Sequence, residues 1–468
     1  MKIVGRKQER DEIQRLIDSN KSEFVVVYGR RRVGKTYLIR EHFESKFSFY
    51  STGLANKKLQ IQLSHFYSEM RKHPEFIEQN EPQNWMQAFH ELIKLLERSK
   101  EKTKLVFIDE LPWMDTRGSD LITALDFFWN AWASARSDVK LIVCGSSASW
   151  MINNLLKNTK GLYNRITRHL KIKPFTLTET AAYFEAKNFK FDHKQIVEIY
   201  MALGGIPYYL DLVRGEESAT QNINRLFFSE QAPFKPEFNL MFASLFKNFK
   251  NHLKIIDVLA SKNKGYKRQD LVQKTGLNDG GSLTNLLREL EESDFIRSYP
   301  FPGKTTKDKM YQLNDNFVLF YLNFSKQING TNANFWKDIH GSPTHNTWAG
   351  LAFESLCLNH IANIKSALGI EGIQSEVYAW ADQNAQIDLV IDRKDRVINL
   401  IELKYSEAPY QISAEYDLKL RNKIVAFKNE FPSSKALWLT LISTYGLASQ
   451  RNAGAIHSSF DMTIFFTP

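Results

Sequence analysis

Apolar residues follow two rhythms along this chain, and the change of rhythm divides it. FVVVYG (24–29), LVFIDE (105–110) and VKLIVCGSS (139–147) are nearly continuous apolar runs. Such runs suit strands covered on both faces, as in a parallel sheet. YLIREHF after the first run has the spacing of a helix. Beyond residue 176 apolar positions recur at helical intervals, at 177–187, 194–203 and 222–229, interrupted by the turn GGIP. Residues 244–312 read as three helices and a hairpin, with Leu283, Leu286, Leu287, Leu290 and Phe295 as a buried stripe. That is a helix-turn-helix with a wing. A polar, loop-like stretch at 327–347 follows. WAGLAFESLCLNHI, GIQSEVYAW, AQIDLVIDR, RVINLIELKYS, a helix at 412–429 and KALWLTLIS then predict an α-β-β-β-α-β order. The partition expected is 1–175, an α/β core; 176–243, a helical lid; 244–312, a winged helix; 313–345, a helical linker; and 346–468, a second α/β domain.

Composition narrows the class. With 468 residues, 43% hydrophobic and 24% charged, the chain is an ordinary globular mixture of roughly three domains. Sixty-two Lys and Arg against 52 Asp and Glu give a charge of +10, which permits a polyanionic partner. Cys144 and Cys357 form no CxxC pair and no disulfide framework. The N-terminus turns charged at once, and no apolar run approaches the roughly 20 residues of a membrane span. A cytoplasmic protein with no membrane contact is expected.

The chemistry begins at Gly29–Thr36, GRRRVGKT, which fits G-x-x-x-x-G-K-[ST] at every fixed position. Gly29 and Gly34 let backbone amides close around phosphate oxygens at the positive end of a helix. Lys35 reaches the β and γ phosphates and Thr36 offers a hydroxyl to Mg²⁺, with Val33 and Tyr37 completing the ATP-binding segment. Arg30, Arg31 and Arg32 face phosphate or nucleic acid, or are solvated. Asp109 ends a strand where it can hold Mg²⁺, and Glu110 is placed to polarise the attacking water. Ser146, with Ser147 behind it, is a candidate γ-phosphate sensor or a helix cap. Residues 151–180 carry six Lys and Arg against one acid. Arg165 or Arg168 is a candidate arginine finger toward a neighbouring copy, or part of a solvated basic edge.

In the winged helix, Ser282, Thr284, Asn285 and Arg288 fall outward on the recognition helix, and Lys304, Lys307 and Lys309 on the wing. The C-terminal domain supplies Glu354 on a helix, and Asp388, Glu402 and Lys404 on strands. Period two puts Glu402 and Lys404 on one face. Three carboxylates make a site for Mg²⁺ or Mn²⁺, and the lysine orients or deprotonates a water for attack on a phosphodiester. Gln386 and Tyr405 are candidates to support that site.

Gly5 and Arg6, the GRRRVGKT loop, the IDE strand, the GSS strand end, LYNR, and GGIPYYL (204–210) together resemble the archaeal-type ATPases, an AAA+-related, signal-transducing class of P-loop ATPases. The resemblance covers roughly residues 1–230. It implies that Gly5 and Arg6 help close the adenine pocket and that Gly205 and Pro207 lie in a nucleotide-sensing turn of the lid. Asn164 stands where that class leads one to expect glycine. The C-terminal pattern resembles the PD-(D/E)xK restriction-endonuclease-like domains that often follow such ATPases, with Ile387 in place of the proline. Together the resemblances imply an α/β P-loop NTPase with helical lid, winged helix and restriction-endonuclease-like domain. Its partner is DNA, with possible cleavage, or a protein partner in a signalling or assembly switch. The oligomeric expectation is a monomer or a nucleotide-dependent oligomer.

Overall fold

The computed structural model describes residues 3–78, 80–157, 162, 164–246, 248–262, 264–300, 309–326, 332–381, 385–449 and 453–467. Two compact units make up the chain, Met1–Pro174 and Phe175–Pro468.

The first unit is built on β1 (Glu23–Tyr28), β2 (Phe49–Thr52), β3 (Lys104–Asp109), β4 (Val139–Gly145) and β5 (Arg168–Lys171). All pairings are parallel, in the order β2-β3-β4-β1-β5. Every residue of β1, β3 and β4 is buried, which is why their sequences run apolar without alternation. The helix Trp85–Arg98, capped by the Asn84 side chain on the Gln87 amide, turns Trp85, Phe89, Leu92 and Leu96 inward. They join Phe24, Phe49, Phe66, Phe128 and Trp129 in one core. Although β4 follows β3 in sequence, it lies between β3 and β1. Gly145 is in register with Tyr28, and Val143 with Ile108. The carboxyl ends of the three strands therefore open side by side, where ligands gather in open parallel sheets.

The second unit begins with the helices Leu177–Ala186 and His193–Leu203. A three-stranded sheet follows, of β6 (Tyr266–Lys267), β7 (Ile296–Pro300) and β8 (Lys309–Leu313) in the order β6-β8-β7, with helices Lys250–Ala260, Arg268–Thr275 and Gly281–Glu292. Leu283, Leu287, Leu290 and Phe295 are buried as the stripe requires, whereas Leu286 is half-buried. Last comes a five-stranded sheet of β9 (Ser375–Ala381), β10 (Gln386–Arg393), β11 (Val397–Lys404), β12 (Ala436–Ser443) and β13 (Ile456–Phe460). Its order is β13-β12-β11-β10-β9, antiparallel from β9 to β11 and parallel from β11 to β13. The helix Pro343–Asn359 and the helix Ala414–Glu430 belong to the same region.

The stretch from 332 to 347 reads as polar and loop-like, yet it holds the helix Phe335–Ile339 and the start of Pro343–Asn359, within and just beyond the helical linker expected at 313–345. Trp336 anchors it, 1% exposed, with its amide donating to Asn224 Oδ1 at 3.2 Å. One buried indole outweighs many polar neighbours. The helices assigned to a separate lid also pack with the C-terminal region. The Leu177 amide donates to His360 Nε2 at 3.0 Å, and Asn316 Nδ2 donates to the Tyr200 carbonyl at 3.2 Å.

Gly265, just ahead of β6, has φ 77°, and a Cβ there would lie 2.0 Å from the Tyr311 carbonyl oxygen. Gly265→Ala is therefore expected to cost more than about 1 kcal/mol of stability, measurable by urea denaturation. Gly276→Ala, with φ 68° but open space around its Cβ, should cost less.

Candidate functional site

The loop after β1 is shaped by backbone that few residues adopt. Gly29 has φ 151°, Arg32 70° and Gly34 88°. A Cβ at Gly29 would meet the Ile172 carbonyl oxygen at 2.2 Å, so only glycine passes there. Lys35 is buried, and its ammonium donates to the carbonyls of Gly29 and Arg30 at 3.0 and 2.9 Å. Thr36 Oγ1 donates to Asp109 Oδ2 at 2.7 Å, so the loop hydroxyl and the β3 carboxylate share one point. This pairing suits a divalent cation, which takes hard oxygen donors such as a loop hydroxyl and a strand-end carboxylate. The positive-φ loop at a helix start suits phosphate. These residues therefore fit ATP with Mg²⁺.

Glu110 has φ 46°, which turns it away from the line of β3. Its Oε2 accepts from both the amide and the hydroxyl of Ser146, at 3.1 and 2.8 Å. Burial, with Asp109 adding and Lys35 and Ser146 opposing, holds the Glu110 carboxyl above the usual range. Ser146 comes to it from the end of β4. Asp115 and Trp150 brace the same corner through a 2.9 Å bond from indole Nε1 to Oδ2, which no motif announced.

The remaining expected positions divide. Gly5 (φ 65°) and Arg6 (φ 56°) open the helix Lys7–Ile17, and Arg6 Nη2 donates to the Val33 carbonyl at 3.0 Å. Arg30 is 1% exposed, whereas Arg31 and Arg32 are half-buried and Tyr37 is exposed. Asn164 has φ 58°, which explains its replacement of glycine: asparagine tolerates the left-handed region better than most residues. Arg165 and Arg168 are exposed, and Arg168 lies 4.0 Å from Glu12. Gly205 and Pro207 belong to the second unit. There a Cβ at Gly205 would lie 1.9 Å from the Phe175 carbonyl oxygen.

The C-terminal acids Asp388 and Glu402 lie on the neighbouring strands β10 and β11. The β9–β10 register shifts between Ile387 and Val390, an irregularity that takes in Asp388 and Leu389. Asp388 is buried, accepting from Gln386 Nε2 at 3.1 Å and from the Leu403 amide at 3.0 Å. Burial, with the neighbouring Glu402, raises its carboxyl to about 6. Burial also acts to raise Glu402, but Lys404 and Lys423 outweigh it and hold that carboxyl low. Lys404 Nζ, Tyr416 OH and Lys423 Nζ all donate to Glu402, at 2.7–2.8 Å. Lys423 and Tyr416 come from the helix Ala414–Glu430, and no spacing rule pointed to them. Tyr405 reaches Glu198 instead of the acids.

Among the described residues no three His, Cys, Asp or Glu side chains gather so as to hold a metal ion. Glu402, expected with Glu354 and Asp388 as a metal ligand, accepts from the chain's own donors at both of its oxygens. Ser282, Thr284 and Asn285 are exposed and Arg288 half-buried. Lys304 and Lys307 lie outside the described residues, while Lys309 opens β8. No helix among the described residues is long and apolar enough to cross a membrane.

Residues 3–213 match the family model of an ATPase domain predominantly from Archaea. An uncharacterized protein of Methanocaldococcus jannaschii is 24% identical over 452 residues, 93% of each chain. An uncharacterized ATP-binding protein of the same organism is 46% identical over 44 residues, 9% of this chain and 75% of its own. Among solved structures, the Walker-type ATPase of Pyrococcus abyssi superposes with a TM-score of 0.50 at 20% identity, covering 68% of this chain and 96% of that one. At that identity the likeness is one of fold.

The Asp388 shift gives a pH dependence. The folded carboxyl, at about 6, binds protons more tightly than the unfolded one, near 3.8. Stability from this group is present at low pH and lost as pH rises through that window. Asp388→Asn should therefore gain on the wild type between about pH 4 and 6, by up to about 3 kcal/mol, and hold level above. Urea midpoints across that range check it.

Proposed function

We propose that residues 3–213, which match an ATPase domain predominantly from Archaea, bind and hydrolyse ATP as an AAA+/STAND-related P-loop domain, and that the whole chain is an ATP-driven switch whose second unit engages a partner without cutting it. The observation that carries this reading is the double hydrogen bond from Ser146 to Glu110. Held there, the carboxylate that would accept a water proton is bound by the residue best placed to sense the γ-phosphate. Nucleotide arrival and catalytic readiness are thereby linked.

Bound ATP with Mg²⁺ supplies the γ-phosphoryl group and the charge neutralisation for its transfer to water. In this reading the Lys35 ammonium leaves two carbonyls for phosphate oxygens. Thr36 and Asp109 would hold the cation, and Glu110, released by Ser146, would take the proton of the attacking water. Arg6 fixes the loop through Val33, with Gly5 beside it at the adenine. Arg165, exposed in the turn that Asn164 opens, serves a neighbouring copy as arginine finger, which makes any oligomer nucleotide-dependent. Gly205 and Pro207 answer the nucleotide state.

In the second unit, residues 244–312 act as a winged helix and 346–468 as a nuclease-like domain that binds instead of cleaving. The saturation of Glu402 by Lys404, Lys423 and Tyr416 supports the non-cleaving reading. A second reading, DNA as the partner, is favoured by the exposed Ser282, Thr284 and Asn285 on the helix Gly281–Glu292.

Glu110→Gln should bind ATP as the wild type does and turn it over about 10²–10⁴-fold more slowly, whereas Lys35→Ala should lose binding as well. Fluorescent-nucleotide titration beside phosphate release separates the two. The same variants test the switch. DNA or protein capture should differ between ATP-loaded Glu110→Gln and Lys35→Ala, and equal capture by both rejects the reading. Duplex binding that survives Thr284→Glu with Asn285→Asp rejects DNA contact by this helix.

A further inference from the structure

The Glu402 carboxylate of the second unit is answered by the chain's own cations. Glu402 has a side chain 3% exposed and carries two ammonium groups, Lys404 at 2.8 Å and Lys423 at 2.7 Å. These arrive from different elements, β11 and the helix Ala414–Glu430. The segment ahead of β6, which carries Lys264, is also held to this region. The three-stranded sheet holds it there. Tyr299 OH on β7 donates to the Lys264 carbonyl at 2.7 Å, and the Tyr299 ring packs on the Trp380, Ile387 and Val390 core. Arg297, two residues earlier on β7, donates to Ser355 Oγ at 3.4 Å, next to Glu354 on its helix.

A buried carboxylate needs a counter-charge and hydrogen bonds, and a divalent cation or an ammonium can supply them. We infer that Lys423, with Lys404, takes the place of a divalent cation at Glu402, forming an electrostatic clamp that fastens the helix Ala414–Glu430 onto the C-terminal sheet. The inference rests on the non-cleaving reading of the second unit. It goes further in assigning Glu402 a structural partner on a neighbouring helix. Lys423 is the centre of the clamp, since it bonds both oxygens of Glu402.

The test is the direction of melting-temperature shifts in the full chain, without nucleotide and with chelator. In a clamp, Glu402→Gln leaves two ammonium groups unanswered and lowers the melting temperature of the second unit by several degrees. In an empty metal site the same change relieves repulsion with Asp388, so a rise or no shift overturns the clamp. Lys423→Met is expected to lower the melting temperature and Glu402→Gln with Lys423→Met to recover much of the loss; strictly additive losses overturn it. Should Lys423→Met fail to fold, the Glu402→Gln shift still decides. Manganese titration followed by electron paramagnetic resonance adds an independent arm: nucleotide-free binding that Glu402→Gln abolishes overturns the clamp. Failure of the non-cleaving reading would appear separately, as metal-dependent cutting of DNA by the wild type.

Discussion

The hydrogen bond from Thr36 to Asp109 joins the loop after β1 to the end of β3, two strands that are not neighbours. It can form because β4 lies between them in register and all three are parallel, so their carboxyl ends share one edge. The rest of the site depends on that edge. Ser146 reaches Glu110 from β4, and the left-handed turn at Glu110 points its carboxylate back toward β4 instead of along β3. Two glycines and one left-handed arginine give the phosphate loop its curve, and the first of them is pressed against the backbone of the strand beyond.

Buried charge is handled in contrasting ways in the two units. In the first, Lys35 rests on carbonyl oxygens, neutral partners that a phosphate would displace, and burial keeps the Glu110 carboxyl ready to hold a proton. In the second, Glu402 is bonded to two ammonium groups and a phenol, which leaves little for a ligand to improve. Removing one member of a buried ion pair is costly because the other stays desolvated. The first arrangement suits a site that exchanges partners, and the second suits a joint.

Much of the first unit was legible in the sequence because its signals are local. The GRRRVGKT loop, the IDE strand end and the GSS strand end each lie within eight residues of chain, and each sits at the end of a buried strand as its pattern implied. Asn164 was legible as a departure, and its φ of 58° shows why that departure is tolerated. Less was legible further on. The two-residue β6 and the edge strand β13 are too short or too exposed to show alternation. Trp336 sits in a polar stretch that hides it, and its burial comes from partners over a hundred residues away, Asn224 among them. Lys423 lies nineteen positions beyond Lys404 on an exposed-looking helix, so no spacing rule reaches it.

By itself the sequence determined where the glycine loop, Thr36, Asp109, Glu110 and Ser146 stand in the first unit, because strand, loop and helix follow one another directly. It also determined the identity of the acids in the second unit. Only the tertiary structure decided that Ser146 would meet Glu110, that the helices after Phe175 would pack with the C-terminal region, and that Glu402 would be answered by Lys423. Those outcomes depend on which elements become neighbours in space, and the burial that makes a charge demand a partner does not exist until they do.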